Sequence, residues 1–335
     1  MVVQPVSAPR SRRASNRAPG ELCFEVAGTR IVSDFAFRDL VRAAGTAGAA
    51  GDALRVTRCE PSAIPAGAEL VREVVDEAER YAFRTYADDR GWRWEVQGLG
   101  QFFIDVATLN ITYALLPGAC PSDVEHVLVG PVLGTALQLR GQPLLHAGAV
   151  VIDGVAAAIT APSGYGKSTL IAHLASRGLP VLSDDTLPIG LGAGGPFARP
   201  YVRKIKLWED SLAALGGRPD EYERALSWLE KVRLPVGAQP IGPSETFPLR
   251  GIYILRPHVT PTDITIDRLD ARSATFAMLG SMYLPELLHV RRTRAALDAA
   301  AALAAAGCVR ELHYERSFGQ LPAVGDAIVA DVCAL

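Results

Sequence analysis

The alternation of apolar and polar residues predicts strands in the first third of the chain. Apolar side chains alternate with polar ones around an Ala-Gly turn in residues 22–35, and residues 93–116 continue the pattern between glycine breaks. Period-two runs bounded by glycine are typical of half-buried strands. Trp92 and Trp94 share one strand face because they are two residues apart, which favours a packed core. We therefore expect a small β-rich domain over residues 21–135.

Helical and strand-like patterns alternate in the middle of the chain. Residues 121–141 run from Pro-Ser-Asp through apolar residues at helical spacing to a glycine, which predicts a helix at the junction between two domains. Two apolar runs in residues 144–160 flank Asp-Gly, a strong hairpin signal. A helix over 169–178 follows, and residues 179–185 form an apolar strand that ends in two aspartates.

The last third continues this mixed pattern. Residues 201–212 predict a strand that runs into a helix at Trp208, and 247–257 predict a further strand. Residues 281–307 are predicted to form closing helices, and 308–314 a last edge strand. Together these elements predict an α/β domain with a mixed sheet over residues 136–335.

Composition and charge exclude several classes of function. The chain has 335 residues, 49% of them hydrophobic, and a net charge of −2, which gives no electrostatic footprint for nucleic acid. Its basic cluster lies in residues 1–20, which we interpret as a disordered tail. The chain lacks a secretory signal and any apolar run long enough for a bilayer, so we expect a cytoplasmic protein without a membrane partner. Five scattered cysteines argue against zinc or disulfides.

The sequence Ala161-Pro-Ser-Gly-Tyr-Gly-Lys-Ser168 has the residues and context of a phosphate-binding loop, although alanine stands where the usual pattern has glycine. It lies between a predicted strand and a predicted helix, as a P-loop requires. Backbone N–H groups of such a loop cradle phosphates, the lysine reaches the outer phosphates, and the serine hydroxyl suits Mg²⁺. The predicted nucleotide-binding residues are Ala161, Pro162, Ser163, Gly164, Tyr165, Gly166, Lys167, Ser168 and Thr169. The alternative is a glycine-rich strand–helix turn without a ligand.

Three further side chains are candidates for the chemistry. Asp184 and Asp185 would lie beside the phosphates if their strand neighbours the P-loop strand. One carboxylate there can hold Mg²⁺ through water, and the other can accept a proton from an attacking hydroxyl. The alternative is a purely structural role for the pair in a turn or a helix cap. His146 precedes the hairpin, and on its own it could equally be a hydrogen-bonded core histidine.

The order of these motifs resembles the catalytic domain of HPr kinase/phosphorylase, a family whose fold is like that of phosphoenolpyruvate carboxykinase. His146 stands 15 residues before Ala161 and Asp184 stands 23 after it, as in that family. The resemblance implies ATP and Mg²⁺ as cofactors, Lys167 as the phosphate residue and Ser168 with Asp185 on the metal. It makes Asp184 the catalytic base and places His146 near the reacting phosphate.

The chain also departs from that family. Pro162 replaces an acidic residue of the HPr kinase loop, and Pro248 stands where their Glu-Ile-Arg-Gly signature has glutamate, while Arg250 remains. Those residues belong to the features that support phosphorolysis, so HPr and a reversible reaction are not expected. The order of the β-rich front and the motifs along the chain is more similar to that of the HPr kinase-like tailoring kinases of lasso peptides and other ribosomal peptides, which phosphorylate a serine. The family assembles as oligomers, but no residue pattern here specifies a homo-oligomer.

The sequence-based hypothesis is therefore an Mg²⁺- and ATP-dependent serine kinase acting on a ribosomal precursor peptide. Two alternatives stay open: a kinase for a small-molecule hydroxyl, and a non-catalytic nucleotide-sensing regulator. Several cations are candidates for clamping the transferring phosphoryl group, or for a merely solvated basic edge, and the sequence does not choose among Arg203, Lys204, Lys206, Lys231, Arg233 and Arg250.

Overall fold

In a computed structural model of the chain, the described residues form two nine-stranded sheets. The structure describes residues 21–43, 53–75, 81–201, 204–226, 229–235, 241–284 and 290–335. The predicted tail 1–20 and the candidate cation Arg203 lie outside the described residues.

The first sheet contains the strands that precede residue 116, in the order β3-β1-β2-β4-β9-β8-β7-β6-β5. Its strands are β1 Leu22–Val26, β2 Thr29–Ser33, β3 Val41–Arg42, β4 Leu54–Arg58, β5 Glu69–Val75, β6 Tyr81–Asp88, β7 Gly91–Val96, β8 Gly100–Asp105 and β9 Ile111–Leu115. Most neighbours are antiparallel, but β4 pairs in parallel with β2 and β9. Trp92 and Trp94 are 4% and 1% exposed, which confirms the core position predicted from their spacing.

The second sheet is mixed and carries the P-loop sequence. Its main path runs β10-β14-β15-β19-β12-β11-β13, and β20 joins through β21, which pairs with β19. The strands are β10 Leu144–Leu145, β11 Ala147–Ile152, β12 Val155–Thr160, β13 Val181–Ser183, β14 Leu187–Gly192, β15 Gly195–Ala198, β19 Phe247–His258, β20 Thr265–Arg268 and β21 Val309–Glu315. A small third sheet contains β16 Lys204–Trp208, β17 Arg224–Leu226 and β18 Leu229–Pro235. The described chain is thus a mixed α/β structure.

Helices pack on and between the sheets. They are α1 Pro121–Val127, α2 Leu133–Leu139, α3 Lys167–Ser176, α4 Glu209–Ala214, α5 Ala271–Gly280, α6 Val290–Ala305 and α7 Leu321–Cys333, with short 3₁₀ turns at Pro219–Glu221 and Phe318–Gln320. A π-helical turn, Leu128–Val132, joins α1 to α2. None of the helices within the described ranges is both long and apolar enough to cross a membrane.

The structure changes four details of the predicted elements. The helix predicted over 121–141 contains the π-turn at Pro131, because proline cannot donate to the helical ladder. Strand β21 is not an edge strand, since β19 pairs with it on one side and β20 on the other. Met282 forms a bridge with Leu145 rather than starting a helix. The first and last of the closing helices, α5 and α7, lie largely outside the segments that the pattern predicted.

The boundary predicted between residues 135 and 136 falls within α2, and the division into domains stays a prediction.

Candidate active site

The predicted P-loop lies between β12 and α3. The nine predicted binding residues occupy the loop 161–166 and the first turn of α3. Gly164 and Gly166 have φ of 83° and 89°, a region that residues with a Cβ rarely adopt, which explains why glycine is needed at both positions. Residues 162–165 are exposed, whereas Ala161 is buried, so alanine fits the first position without reaching the phosphate side of the loop.

The far end of β21 holds this loop in place. The Arg316 guanidinium donates to the Gly164 carbonyl at 2.9 Å, and the Tyr314 hydroxyl donates to the Tyr165 carbonyl at 3.3 Å. These contacts turn two loop carbonyls outward to protein donors. These contacts could not be predicted from the sequence, because Tyr314 and Arg316 lie about 150 residues from the loop.

Strand order explains why the predicted catalytic residues meet. β11 is antiparallel to both β12 and β13 and lies between them. The start of β11 therefore lies at the same sheet edge as the ends of β12 and β13. This edge carries His146, the P-loop and the Asp184–Asp185 pair. The strand that ends in the aspartates is separated from the P-loop strand by one strand, β11, rather than lying directly beside it.

Lys167 bridges that extra strand. Its Nζ donates to the Asp184 carbonyl at 2.9 Å and to Asp185 Oδ1 at 2.8 Å, and its side chain is 8% exposed. Gly148 on β11 leaves room beneath this contact, since a Cβ there would lie 2.7 Å from Ile171 and 2.9 Å from the Asp184 carbonyl. The phosphate lysine and the aspartate pair thus form one cluster.

The two aspartates have different surroundings. Asp184 is 3% exposed, and its Oδ2 accepts the Lys206 backbone N–H at 3.0 Å. Its Oδ1 is buried, with no hydrogen-bond donor among the described residues. Asp185 is about one-third exposed and contacts Lys167, His146 Nδ1 at 3.4 Å and Lys206 Nζ at 3.6 Å. Asp185 thus contacts two ammonium groups and an imidazole, whereas Oδ1 of Asp184 accepts no hydrogen bond from the described residues.

Burial and the charges of this cluster shift the pKa of Asp185 and the pKa of His146. Burial opposes its ionisation, but the ammonium groups of Lys167 and Lys206 more than offset this and hold the pKa of Asp185 well below its usual range. Burial lowers the pKa of His146; Asp185 opposes that shift, and Lys167 and Lys206 add to it. Near neutral pH the edge therefore presents an ionised aspartate and a neutral histidine.

The structure separates the candidate cations that the sequence could not rank. Of the candidate cations within the described ranges, only Lys206 contacts the aspartate pair directly. Lys204 and Arg233 both pair with Asp39, in the latter case at 3.2 Å. Lys231 lies over the Trp208 ring at 4.6 Å, and burial followed by the charge of Lys206 lowers its pKa.

Arg250 is far from the loop. It follows Leu249, which is level with Ala156, whereas the P-loop begins after Thr160. Four residues along a strand correspond to about 13 Å, so Arg250 belongs to the opposite part of the sheet. Its exposed side chain does not join the cluster at the P-loop edge.

A half-open cleft adjoins the aspartate pair, and no residue of the P-loop lines it. Its enclosed volume is about 90 Å³. Asp184, Asp185 and Lys206 line one side, and His126 with the π-turn residues Gly130 and Pro131 lines another. The sequence analysis missed these last three, although a Gly-Pro pair inside a helical pattern was a usable signal of an irregular turn.

His126 is half-buried and lies near cations. Burial, then Lys206 and Arg233, lowers the pKa of His126 well below its usual range, with Asp185 opposing the shift. The unfolded chain consequently binds a proton at mildly acidic pH that the folded chain does not. The associated stability is complete above the unfolded pKa of about 6.5 and is lost as the pH falls below it.

This linkage gives a testable pH dependence. We expect the free energy of unfolding to fall by about 1 kcal/mol between pH 7.5 and 5.5 through His126 alone. His146 shifts in the same direction and adds to the total. Denaturant unfolding of wild type and His126→Gln at both pH values isolates the first contribution, because glutamine does not titrate. An equal pH dependence in the two proteins would contradict the assignment.

The cluster offers oxygen ligands suited to Mg²⁺. Ser168 follows Lys167 in the first turn of α3, and the Asp185 carboxylate is ionised and about one-third exposed. Mg²⁺ prefers oxygen and is commonly bound by one or two protein ligands together with substrate phosphates. Within the described ranges, no group of three or more His, Cys, Asp or Glu side chains is arranged to hold a metal ion.

Comparisons with known proteins were made for sequence and structure. No protein-family model matches the sequence, and no curated protein matches it. Among solved structures, the chain is similar to the Hpr(Ser) kinase/phosphatase from Coxiella burnetii, with 14% identity and a TM-score of 0.29. The match covers 57% of this chain and 96% of that chain.

Proposed function

We propose that this protein is an ATP-dependent kinase that phosphorylates a hydroxyl group. The observation that carries the proposal is the buried, unpaired Oδ1 of Asp184, in a residue that borders both the P-loop lysine and a cleft. A buried acceptor without a donor is costly, and such groups are often retained for function. A substrate hydroxyl in the cleft would supply the missing donor.

The chain's own residues can then be given roles. The P-loop amides and Lys167 bind the outer phosphates of ATP, with Lys167 exchanging its contact to Asp185 for phosphate oxygens. Ser168 and Asp185 would hold Mg²⁺, which supplies charge neutralisation on the phosphates. Lys206, beside both aspartates, is placed to balance charge on the transferring group.

Asp184 acts as the base in this proposal. The acceptor oxygen forms a bond to the γ-phosphorus, the bond from that phosphorus to the β–γ bridging oxygen breaks, and ADP leaves. The acceptor proton passes to Asp184 and then to solvent. His146 is held near this point by the bond from its backbone N–H to the Ser281 carbonyl, at 2.8 Å, and stays neutral.

A serine of a peptide is the acceptor that we propose. The motif order resembles the HPr kinase-like kinases of ribosomal precursor peptides, and the half-open cleft leaves room for the rest of a large substrate outside. A nucleotide-sensing regulator would need no base, so it leaves the unpaired Asp184 oxygen unexplained.

The direct test uses purified protein, Mg²⁺ and ATP labelled at the γ-phosphate. We expect phosphoserine on a synthetic peptide encoded beside the gene, and none when a chelator removes Mg²⁺. Transfer to small polyols but to no peptide would instead favour a small-molecule kinase. ATP binding without transfer to any acceptor would favour the regulator.

A further inference from the structure

The cleft beside Asp184 is built by both halves of the chain. On one side lie the aspartate pair and Lys206 of the second half. On the other lie His126, at the end of α1, and Gly130 and Pro131 of the π-turn. π-Turns within helices are rare and occur frequently at functional sites. The P-loop chemistry described above uses none of these last three residues.

Tyr201 fixes the distance between the two sides. Its backbone N–H donates to the Leu182 carbonyl at 3.0 Å, two residues before Asp184. Its hydroxyl donates to the Val129 carbonyl in the π-turn at 2.5 Å. Because one buried residue binds both walls, the cleft is preformed.

Tyr283 belongs to the same wall and lines the cleft itself. Its carbonyl accepts from Gln138 Nε2 at 2.7 Å, and its ring fills the space where a Cβ at Gly134 would lie, 2.7 Å away. Gly130 is different, since a Cβ there would meet only the Tyr283 hydroxyl, at 3.8 Å. A side chain added at Gly130 therefore has room and would narrow the cleft.

His126 is the polar group of this wall. It lines the cleft together with Asp184, and its imidazole is influenced by Lys206 and Arg233. A neutral imidazole can both donate and accept a hydrogen bond, which suits an alcohol group. It has no part in nucleotide binding as described above.

The size of the cleft limits what it can hold. One water needs about 10–15 Å³, so a volume of about 90 Å³ accepts only a handful of atoms. That fits a hydroxyl at the end of a slender arm, such as a serine side chain. A bulkier group would have to stay at the open mouth.

We propose that this cleft is the acceptor subsite and that His126 positions the acceptor hydroxyl opposite Asp184. The inference rests on the proposed kinase function and adds the substrate class: a hydroxyl on a flexible arm of a larger molecule. His126 is a positioning residue, since the proton passes to Asp184. The first half of the chain thereby contributes to substrate selection.

The test compares acceptor kinetics in wild type and two variants. The probe is a peptide library with one fixed serine and degenerate flanking positions, with Mg²⁺ and labelled ATP, followed by steady-state kinetics on its best peptide. We expect His126→Leu to lower kcat/KM for the peptide about tenfold, because leucine removes the polar contact of the imidazole. Gly130→Leu should raise KM for the peptide by a similar factor because it narrows the cleft. The affinity for ATP should change less than about twofold in both variants, because neither touches the P-loop.

Controls separate this inference from the proposed function. Gly67→Leu, at a glycine with no atom near its Cβ position, should behave as wild type. Thermal unfolding of each variant checks that loss of transfer is not loss of folding. If wild type transfers phosphate and both cleft variants match it, the acceptor subsite is wrong while the kinase stands. If wild type binds ATP but phosphorylates no acceptor, both proposals are overturned.

Discussion

In Asp184→Asn, phosphoryl transfer is expected to fall by about 100-fold to 10,000-fold, the usual contribution of a general base, while ATP binding changes little. Asparagine can still accept the Lys206 backbone N–H through its amide oxygen, so the turn keeps its geometry. It cannot take up the acceptor proton. The variant should be at least as stable as wild type, since a buried carboxylate has been replaced by a neutral group.

Steady-state transfer and calorimetric ATP binding, measured on the same preparation, check this expectation. Asp263→Asn is a matched control, because it makes the same chemical change at an exposed position. Full transfer by Asp184→Asn would remove Asp184 from the role of base. Loss of ATP binding together with transfer would mean that its role is structural.

Lys167→Met should lower both ATP affinity and transfer. A charged hydrogen bond to phosphate contributes about 1.5–3 kcal/mol, which corresponds to a loss of affinity of about tenfold to 100-fold. Transfer should fall further, by about 100-fold to 1,000-fold, because the lysine also neutralises charge that develops in the transition state. Asp185 keeps Lys206 and His146 as neighbours, so we expect the fold to persist.

The measurement is ATP binding by calorimetry, with circular dichroism to confirm folding. Arg177→Met is the matched control: it lies just after α3, and its ion pair with Asp326 is on the surface. Equal ATP affinity in Lys167→Met and Arg177→Met would contradict a phosphate-binding role for the loop.

The local signals of the sequence predicted the turns around the P-loop sequence well. Asp153 and Gly154 both have positive φ and join β11 to β12, as an Asp-Gly hairpin predicts. Gly166 ends the loop and Lys167 begins α3, as the P-loop spacing predicts. Each of these features depends on residues that are close in sequence, where propensity and turn chemistry act directly.

Features that depend on strand order could not be predicted in the same way. Nothing in residues 179–185 says that β13 pairs with β11 rather than with β12, because pairing between distant strands has no local code. The same holds for β21, whose partner β20 lies over 40 residues earlier. Gly148 was the available hint, since a glycine within an apolar strand often marks a close approach of another segment.

The cleft wall was missed for a related reason. His126 and Pro131 lie more than 50 residues before Asp184, in a segment whose pattern predicts an ordinary helix. Contacts between residues distant in sequence, such as those of Tyr201 with Val129 and of Tyr283 with Gln138, hold that segment in place. The sequence predicted the P-loop and the aspartate pair but not the cleft beside them.

The shared use of Tyr201 and Tyr283 bears on how such a chain can diverge. Both tyrosines belong to the same buried cluster as Trp94 and Phe102 of the first sheet. Repacking that core would move the wall of the cleft while leaving the P-loop untouched, since the loop is tied to β21 instead. Substitutions in the core of the first sheet would thus change which acceptor the proposed subsite prefers, without changing ATP binding. In the proposed kinase, acceptor preference and ATP binding would therefore evolve separately within one chain.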